Sequence, residues 1–245
     1  MTPWPPTAAD LLSPSTQLTA LQVCLQRLTE DVEDMANVFP VAAGQPGLLA
    51  ALASLAREEG EAGLLAMTIL AYLARVFTLA PLLTSTEGLP IGPCHERVVA
   101  NAGVLELLVV GIENNPEMAC SVLASFCVSR GTKQTIHDHP GLVDAVAKAL
   151  HEHKTMMAAF LFFGLAGSPA LQVPLAHNPA VLGALLGVLE GCDDDKVIEY
   201  TVAAVSELTK PEENRAIMAE GGRFADVLRN HRGERGAEAG LANLQ

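Results

Sequence analysis

Gly141-Leu-Val-Asp-Ala-Val146 is a glycine followed by an apolar segment, and the chain keeps returning to that pattern. Gly103-Val-Leu-Glu-Leu-Leu108 precedes it and Ala180-Val-Leu-Gly-Ala-Leu-Leu186 follows it, each at nearly the same spacing. A further copy starts at Gly222, only slightly further on from Ala180, and an earlier one starts at Gly47, at a wider spacing from Gly103. Apolar residues inside the copies recur at three and four residues, and no stretch alternates as a half-buried strand does. A period of about forty residues with only helical signals predicts a stacked α-solenoid. In such a stack each repeat touches its neighbours, and the array presents one long concave surface suited to binding.

The copies share an internal order of short helix, small residue, second helix, polar turn and longer third helix. In the copy at Gly141 the second helix is expected at 142–150, the turn at His151-Glu-His153, and the third helix at 154–166, stopped by Gly167 and Pro169. In the next copy the second helix is expected at 181–189 and the turn at 191–195. The third then runs over 196–209, with Asp193 to Asp195 placed to cap it. Short leading helices are expected at 133–138, 169–176 and 212–219, and a third helix at 115–129. The copy at Gly222 shows no third helix in its sequence, and 231–245 reads as a polar C-terminal tail. Residues 1–15, rich in Pro, Ser and Thr, read as disordered. Leu18, Leu21, Leu25, Leu28, Val32 and Met35 then mark one amphipathic helix over 16–38. The repeat domain is expected over 16–230. The wider spacing between Gly47 and Gly103 is explained by a loop inserted at about 84–97, which begins in Thr84-Ser-Thr-Glu-Gly88.

Composition fits this architecture. Half of the 245 residues are hydrophobic, and Ala and Leu rather than aromatics supply the core. The net charge of −13 disfavours nucleic acid, whose phosphates it repels, and favours a partner with basic surface. The same charge keeps an apolar solenoid in solution. Cys24, Cys94, Cys120, Cys127 and Cys192 form no Cys-x-x-Cys pair and read as small apolar residues in a reducing, cytoplasmic setting. The N-terminus has no positive charge before Arg27 and does not read as a secretory signal. The best span candidate, 64–83, holds Arg75 and Pro81, so no membrane partner is expected.

The trio order, together with Ala102-Gly103-Val104, Leu107-Leu108, Gly141-Leu142, Val146 and Leu150, resembles the armadillo repeat over about residues 40 to 230. The third helices end in a similar way, in Leu70-Ala-Tyr-Leu73, Leu123-Ala-Ser-Phe126, Phe162-Phe-Gly-Leu165 and Val205-Ser-Glu-Leu208. The resemblance implies an all-α, right-handed armadillo-like solenoid of about four to five repeats. Peptide-carrying members such as the nuclear import adaptors hold Asn at the variable position of that ending and Trp one turn before. This chain has Tyr72, Ser125, Gly164 and Glu207 in place of the Asn, and Thr68, Ser121, Phe160 and Ala203 in place of the Trp. These residues, with Arg75 and Phe163, are the expected partner-binding set. The acidic helix end Leu25-Gln-Arg-Leu28-Thr-Glu-Asp31-Val-Glu-Asp34-Met-Ala-Asn37 is similar to the armadillo-type nucleotide-exchange factors of the seventy-kilodalton heat-shock chaperones. Their Gln-Asn-Asn-Pro hallmark is replaced here by Arg75-Val-Phe-Thr78.

Catalytic signatures are missing: no Gly-x-Ser-x-Gly, no phosphate-binding Gly-x-x-x-x-Gly-Lys and no His-Glu-x-x-His occurs. Cys94-His95-Glu96 is a local cluster, but adjacent residues rarely arrange as nucleophile and base. His137-Asp-His139 and His151-Glu-His153 are separated by a helix of roughly ten residues, about 15 Å long, which argues against one shared zinc site. The expectation is a protein-binding scaffold or adaptor that takes no cofactor and no metal. Nucleotide exchange on a heat-shock ATPase is the alternative, and an enzyme the remaining class.

Overall fold

A computed structural model describes residues 7–30, 48–55, 62–63, 65–66, 69, 99, 104–127, 130–234 and 236–244, and all regular structure among them is helical. The chain forms two compact units, Met1–Gly111 and Ile112–Gln245.

In the first unit, α1 (Ala8–Leu12) packs on α2 (Gln17–Glu30) and α3 (Leu48–Leu55). Helix α1 corrects the reading of 1–15 as wholly disordered. Thr7 and Asp10 form a capping box: the Asp10 carboxylate accepts from the Thr7 amide at 2.9 Å, and the Asp10 amide donates to the Thr7 hydroxyl at 3.2 Å. Leu11, Leu21, Leu48, Leu52 and Leu55 are buried in this unit. The acidic run 31–37, the loop at 84–97 and the span candidate apart from Leu65, Ala66 and Ile69 lie outside the described residues.

Beyond α4 (Val104–Asn114), the second unit is built of repeated trios. Helix α5 (Pro116–Phe126) is the third helix of one repeat. The next repeat is α6 (Arg130–Asp138), α7 (Leu142–His153) and α8 (Met156–Ala166). It is followed by α9 (Pro169–Ala176), α10 (Pro179–Gly191) and α11 (Asp195–Leu208), and then by α12 (Glu212–Ala219), α13 (Arg223–Asn230) and α14 (Ala237–Asn243). Equivalent helices pack on one another: α7 on α10 and α10 on α13, and likewise α5 on α8, α8 on α11 and α11 on α14.

Local sequence explains the boundaries. Asn115 and Asn178 each precede a Pro at the first helical position, and each accepts amides of the first turn, Met118 at 3.3 Å and Ala180 at 2.9 Å. Asp194 caps α11 by accepting from Lys196 and Val197 at 2.9 and 3.2 Å, as the Asp193–Asp195 run predicts. The expected turn at 151–153 is corrected, because α7 continues through His153. Lys154 ends it with a left-handed φ of 49°, and its amide donates to the Leu150 carbonyl at 3.0 Å.

A recurring polar clamp sets the register between trios. The Thr132 hydroxyl donates to the Phe126 carbonyl, Gln172 Nε2 to Ala166 at 3.0 Å, and Asn214 Nδ2 to Leu208 at 2.8 Å. Each acceptor is the last residue of a third helix, and each donor sits six residues later on the leading helix of the next trio. All three donors are buried, so each satisfies a carbonyl that a helix end leaves open.

Helix α14 corrects the polar-tail reading and supplies the third helix that the last copy lacked. Gly236 starts it with φ +97°, and Ala237, Gly240 and Leu241 are buried against α11 and α13. A side chain at Gly240 would meet Leu228 Cδ1 at 3.1 Å and Ser206 Cα at 3.4 Å, so glycine permits the close approach. The helix is only seven residues long and its buried face is small, which left little periodic signal to read.

Candidate functional site

Helices α5, α8 and α11 lie side by side, and the residues left open on this row follow from how they pack. Met156-Met-Ala-Ala-Phe-Leu-Phe-Phe-Gly-Leu-Ala166 is apolar all round because α8 is covered by α5 on one side and α11 on the other. Ala158, Ala159, Leu161, Phe162 and Leu165 are buried. The open strip of α8 keeps Phe160, 37% exposed, with Met157, Phe163 and Gly164 half-buried.

The residues expected to bind a partner fall along this row where they are described. On α5, Ser121 is half-buried and Ser125 is buried, its hydroxyl donating to the Ser121 carbonyl at 2.9 Å. On α8 stand Phe160, Phe163 and Gly164. A Cβ on Gly164 would meet only the Cys127 Cβ, at 3.7 Å. On α11, Ala203 and Glu207 are half-buried. The Glu207 carboxylate accepts from Lys210 Nζ at 2.6 Å and from Gln172 Nε2 at 3.5 Å. Thr68, Tyr72 and Arg75 lie outside the described residues.

Tyr200 belongs with this set, and the sequence reading missed it. Its ring meets Phe160 edge-on at 5.0 Å between centroids and lies nearly parallel to Phe163 at 6.4 Å, with an interplanar angle of 25°. A signal was present: Tyr200 precedes Ala203 by three residues and Glu207 by seven, so all three share one face of α11. The aromatic group joins two consecutive repeats across the α8–α11 groove.

Charge is placed at the N-terminal ends of the row. Glu117 in the first turn of α5 accepts the Met157 amide at 3.4 Å, which brings a carboxylate to the positive end of α8. Asp193, Asp194 and Asp195 are exposed at the start of α11. Lys196 pairs with Glu199 at 2.6 Å, and that hydrogen bond and charge hold the Lys196 ammonium above its ordinary pKa. Among the described residues no group of three or more His, Cys, Asp or Glu side chains converges on a point where an ion would sit. No single described helix is long and apolar enough to cross a membrane; α8 and α9 pass such a test only together, and they are bent by 118°.

The sequence matches no protein-family model, and no curated protein matches it significantly. Solved structures do match. A designed armadillo repeat protein in complex with the peptide (KR)4 covers 97% of this chain and 98% of its own at 17% identity, with a TM-score of 0.69. A computationally designed armadillo repeat protein for modular peptide recognition covers 97% and 98% at 18% identity, with a TM-score of 0.74. A further engineered protein covers 97% and 94% at 17% identity, with a TM-score of 0.70. At these identities the likeness establishes the fold, and the chain is an all-α, armadillo-like solenoid.

Proposed function

We propose that this protein is a binding scaffold or adaptor, not an enzyme, and that it holds a partner protein along the row of α5, α8 and α11. The observation that carries this reading is the aromatic group of Phe160, Phe163 and Tyr200, which stays exposed or half-buried between α8 and α11. Exposed aromatics at the centre of a patch are the residue types that dominate interface energetics. The fold supports the reading, since armadillo arrays are usually non-catalytic binding surfaces.

The partner presents basic surface. The net charge of −13, Glu117 and the Asp193–Asp195 run support this, and a structurally similar designed protein holds the basic peptide (KR)4. Steering by such charges weakens with salt, because the Debye length is only about 8 Å at physiological ionic strength. The free thiols of Cys24, Cys120, Cys127 and Cys192 support a reducing, cytoplasmic setting.

Affinity capture from native lysate tests the reading. Wild-type protein is compared with variants changed at Phe160, Phe163 and Tyr200. The expected result is a captured protein lost with the variants while their melting temperatures stay close to wild type. Capture unchanged by all three variants contradicts it.

A further inference from the structure

At the three described positions where a peptide-carrying armadillo array would place Asn, no side chain can both donate to and accept from an extended backbone. The Ser125 hydroxyl is already donated to Ser121. Gly164 has no side chain, and Glu207 is held by Lys210 and Gln172. An Asn side chain pairs with both the N–H and the C=O of a peptide; none of these three does. An extended strand laid on this row would leave its own polar backbone poorly paired, and each buried group without a partner disfavours that mode of binding.

What the row offers is apolar surface with an acidic edge. Met156 and Phe160 are 38% and 37% exposed, and Met157, Phe163 and Tyr200 are half-buried around them. Gly164 opens a notch one helical turn beyond Phe160, bounded by Cys127 on α5's end. Glu117, Asp193, Asp194 and Asp195 are exposed at the ends of the flanking helices.

We infer that this patch takes an amphipathic helix from the partner, with its apolar stripe on Phe160, Tyr200 and the Gly164 notch and its Lys or Arg flanks on the acidic edge. A helix satisfies its own backbone groups and needs no Asn ladder. Its basic flanks complement the edge carboxylates, and its apolar anchors match the exposed Met and aromatic side chains. The inference rests on the third-helix row being the binding face and names what occupies it.

Three labelled peptides test it by fluorescence anisotropy against the full chain. The first is an amphipathic Leu/Lys peptide of about 18 residues, with Leu on one face and Lys at the flanks. The second has the same composition with Leu spread round the helix. The third is (Lys-Arg)4. The chain is also prepared as Phe160→Glu, Gly164→Leu and Tyr200→Ala, with circular dichroism melts to confirm that each folds. The expected result is binding of the amphipathic peptide that persists at about 0.5 M salt. The spread isomer and each variant should weaken it by about tenfold or more. If (Lys-Arg)4 binds, loses affinity with these variants, and the amphipathic peptide does not bind, the row stands as the site and the helix inference falls. Equal binding of the two Leu/Lys isomers also overturns the inference, as does no binding of either. Binding indifferent to Phe160, Gly164 and Tyr200 overturns both the inference and the choice of face.

Discussion

Asn214 holds three segments with one amide, donating to the Leu208 carbonyl at 2.8 Å and the Gln172 carbonyl at 3.0 Å from a fully buried position. Replacing it by Ala leaves the buried Leu208 carbonyl, at a helix end, without a donor and takes the second, shared donor from the Gln172 carbonyl. The expected cost is roughly 1–3 kcal/mol, read as a lower denaturant midpoint with an unchanged slope. Cys120 gives a second prediction at this scale. Burial, with the Glu117 carboxylate adding to it, pushes its thiol from an ordinary 9.0 up to about 12. Below pH 9 the thiol is protonated in both states and its contribution is present in full. Above pH 9 the unfolded chain ionises and the native one does not, so stability falls by about 1.4 kcal/mol per pH unit until the folded value is reached. Denaturant titrations of wild type and Cys120→Ala should therefore keep a constant gap below pH 9 and converge above it. A gap independent of pH to 11 contradicts the buried thiol. The clamp residues themselves were not legible in advance. Thr132, Gln172 and Asn214 are different residue types, and only their common offset of six from a helix end relates them.

Helices show where reading the chain succeeds and where it stops. The leading helices expected at 169–176 and 212–219 are found with those bounds, because Pro169 and Pro211 mark their starts. Helix α14 was missed because Ala237, Gly240 and Leu241 make a face too small for periodicity to register. Gly240→Leu should unseat it, since the new side chain meets Leu228 and Ser206. Faster proteolysis after Arg232, at unchanged protection of α8, is the expected outcome. On α8 the sequence could not decide which Phe of 160-Phe-Leu-Phe-Phe-163 is core, because every neighbour is apolar. Packing decides it: Phe162 is 1% exposed and Phe160 is 37% exposed. Phe162→Ala should cost roughly 3–5 kcal/mol, whereas Phe160→Ala should cost well under half of that. Equal losses in thermal melts would contradict this assignment.

For the whole molecule, the recurring glycine-led period of about forty residues was enough to give the fold class, since repeats of that length bury their apolar faces by stacking on one another. The candidate face was legible in part. Registering the third-helix endings put Ser125, Gly164 and Glu207 in line, but it gave no sign that Ser125 and Glu207 are already engaged or that Tyr200 completes the aromatic group. The Tyr200 contacts cross between repeats, which no single helix pattern encodes, while the Ser125 bond to Ser121 and the Glu207 pair with Lys210 are local and turn on side-chain rotamers. If the row is the binding face, partner association should slow with salt, because the acidic edge steers the encounter, while the apolar anchors keep the complex from dissociating much faster. Stopped-flow association rates at low and high salt measure this. The most direct test places a photo-crosslinking amino acid at two sites in turn, Phe160 on α8 and Gly183 on α10, where a side chain meets nothing within 4 Å. In native lysate a defined adduct is expected from position 160, one that excess unlabelled protein competes away, and no such adduct from position 183. An adduct from 183 with none from 160 would move the binding surface to the second helices and contradict binding along the third-helix row.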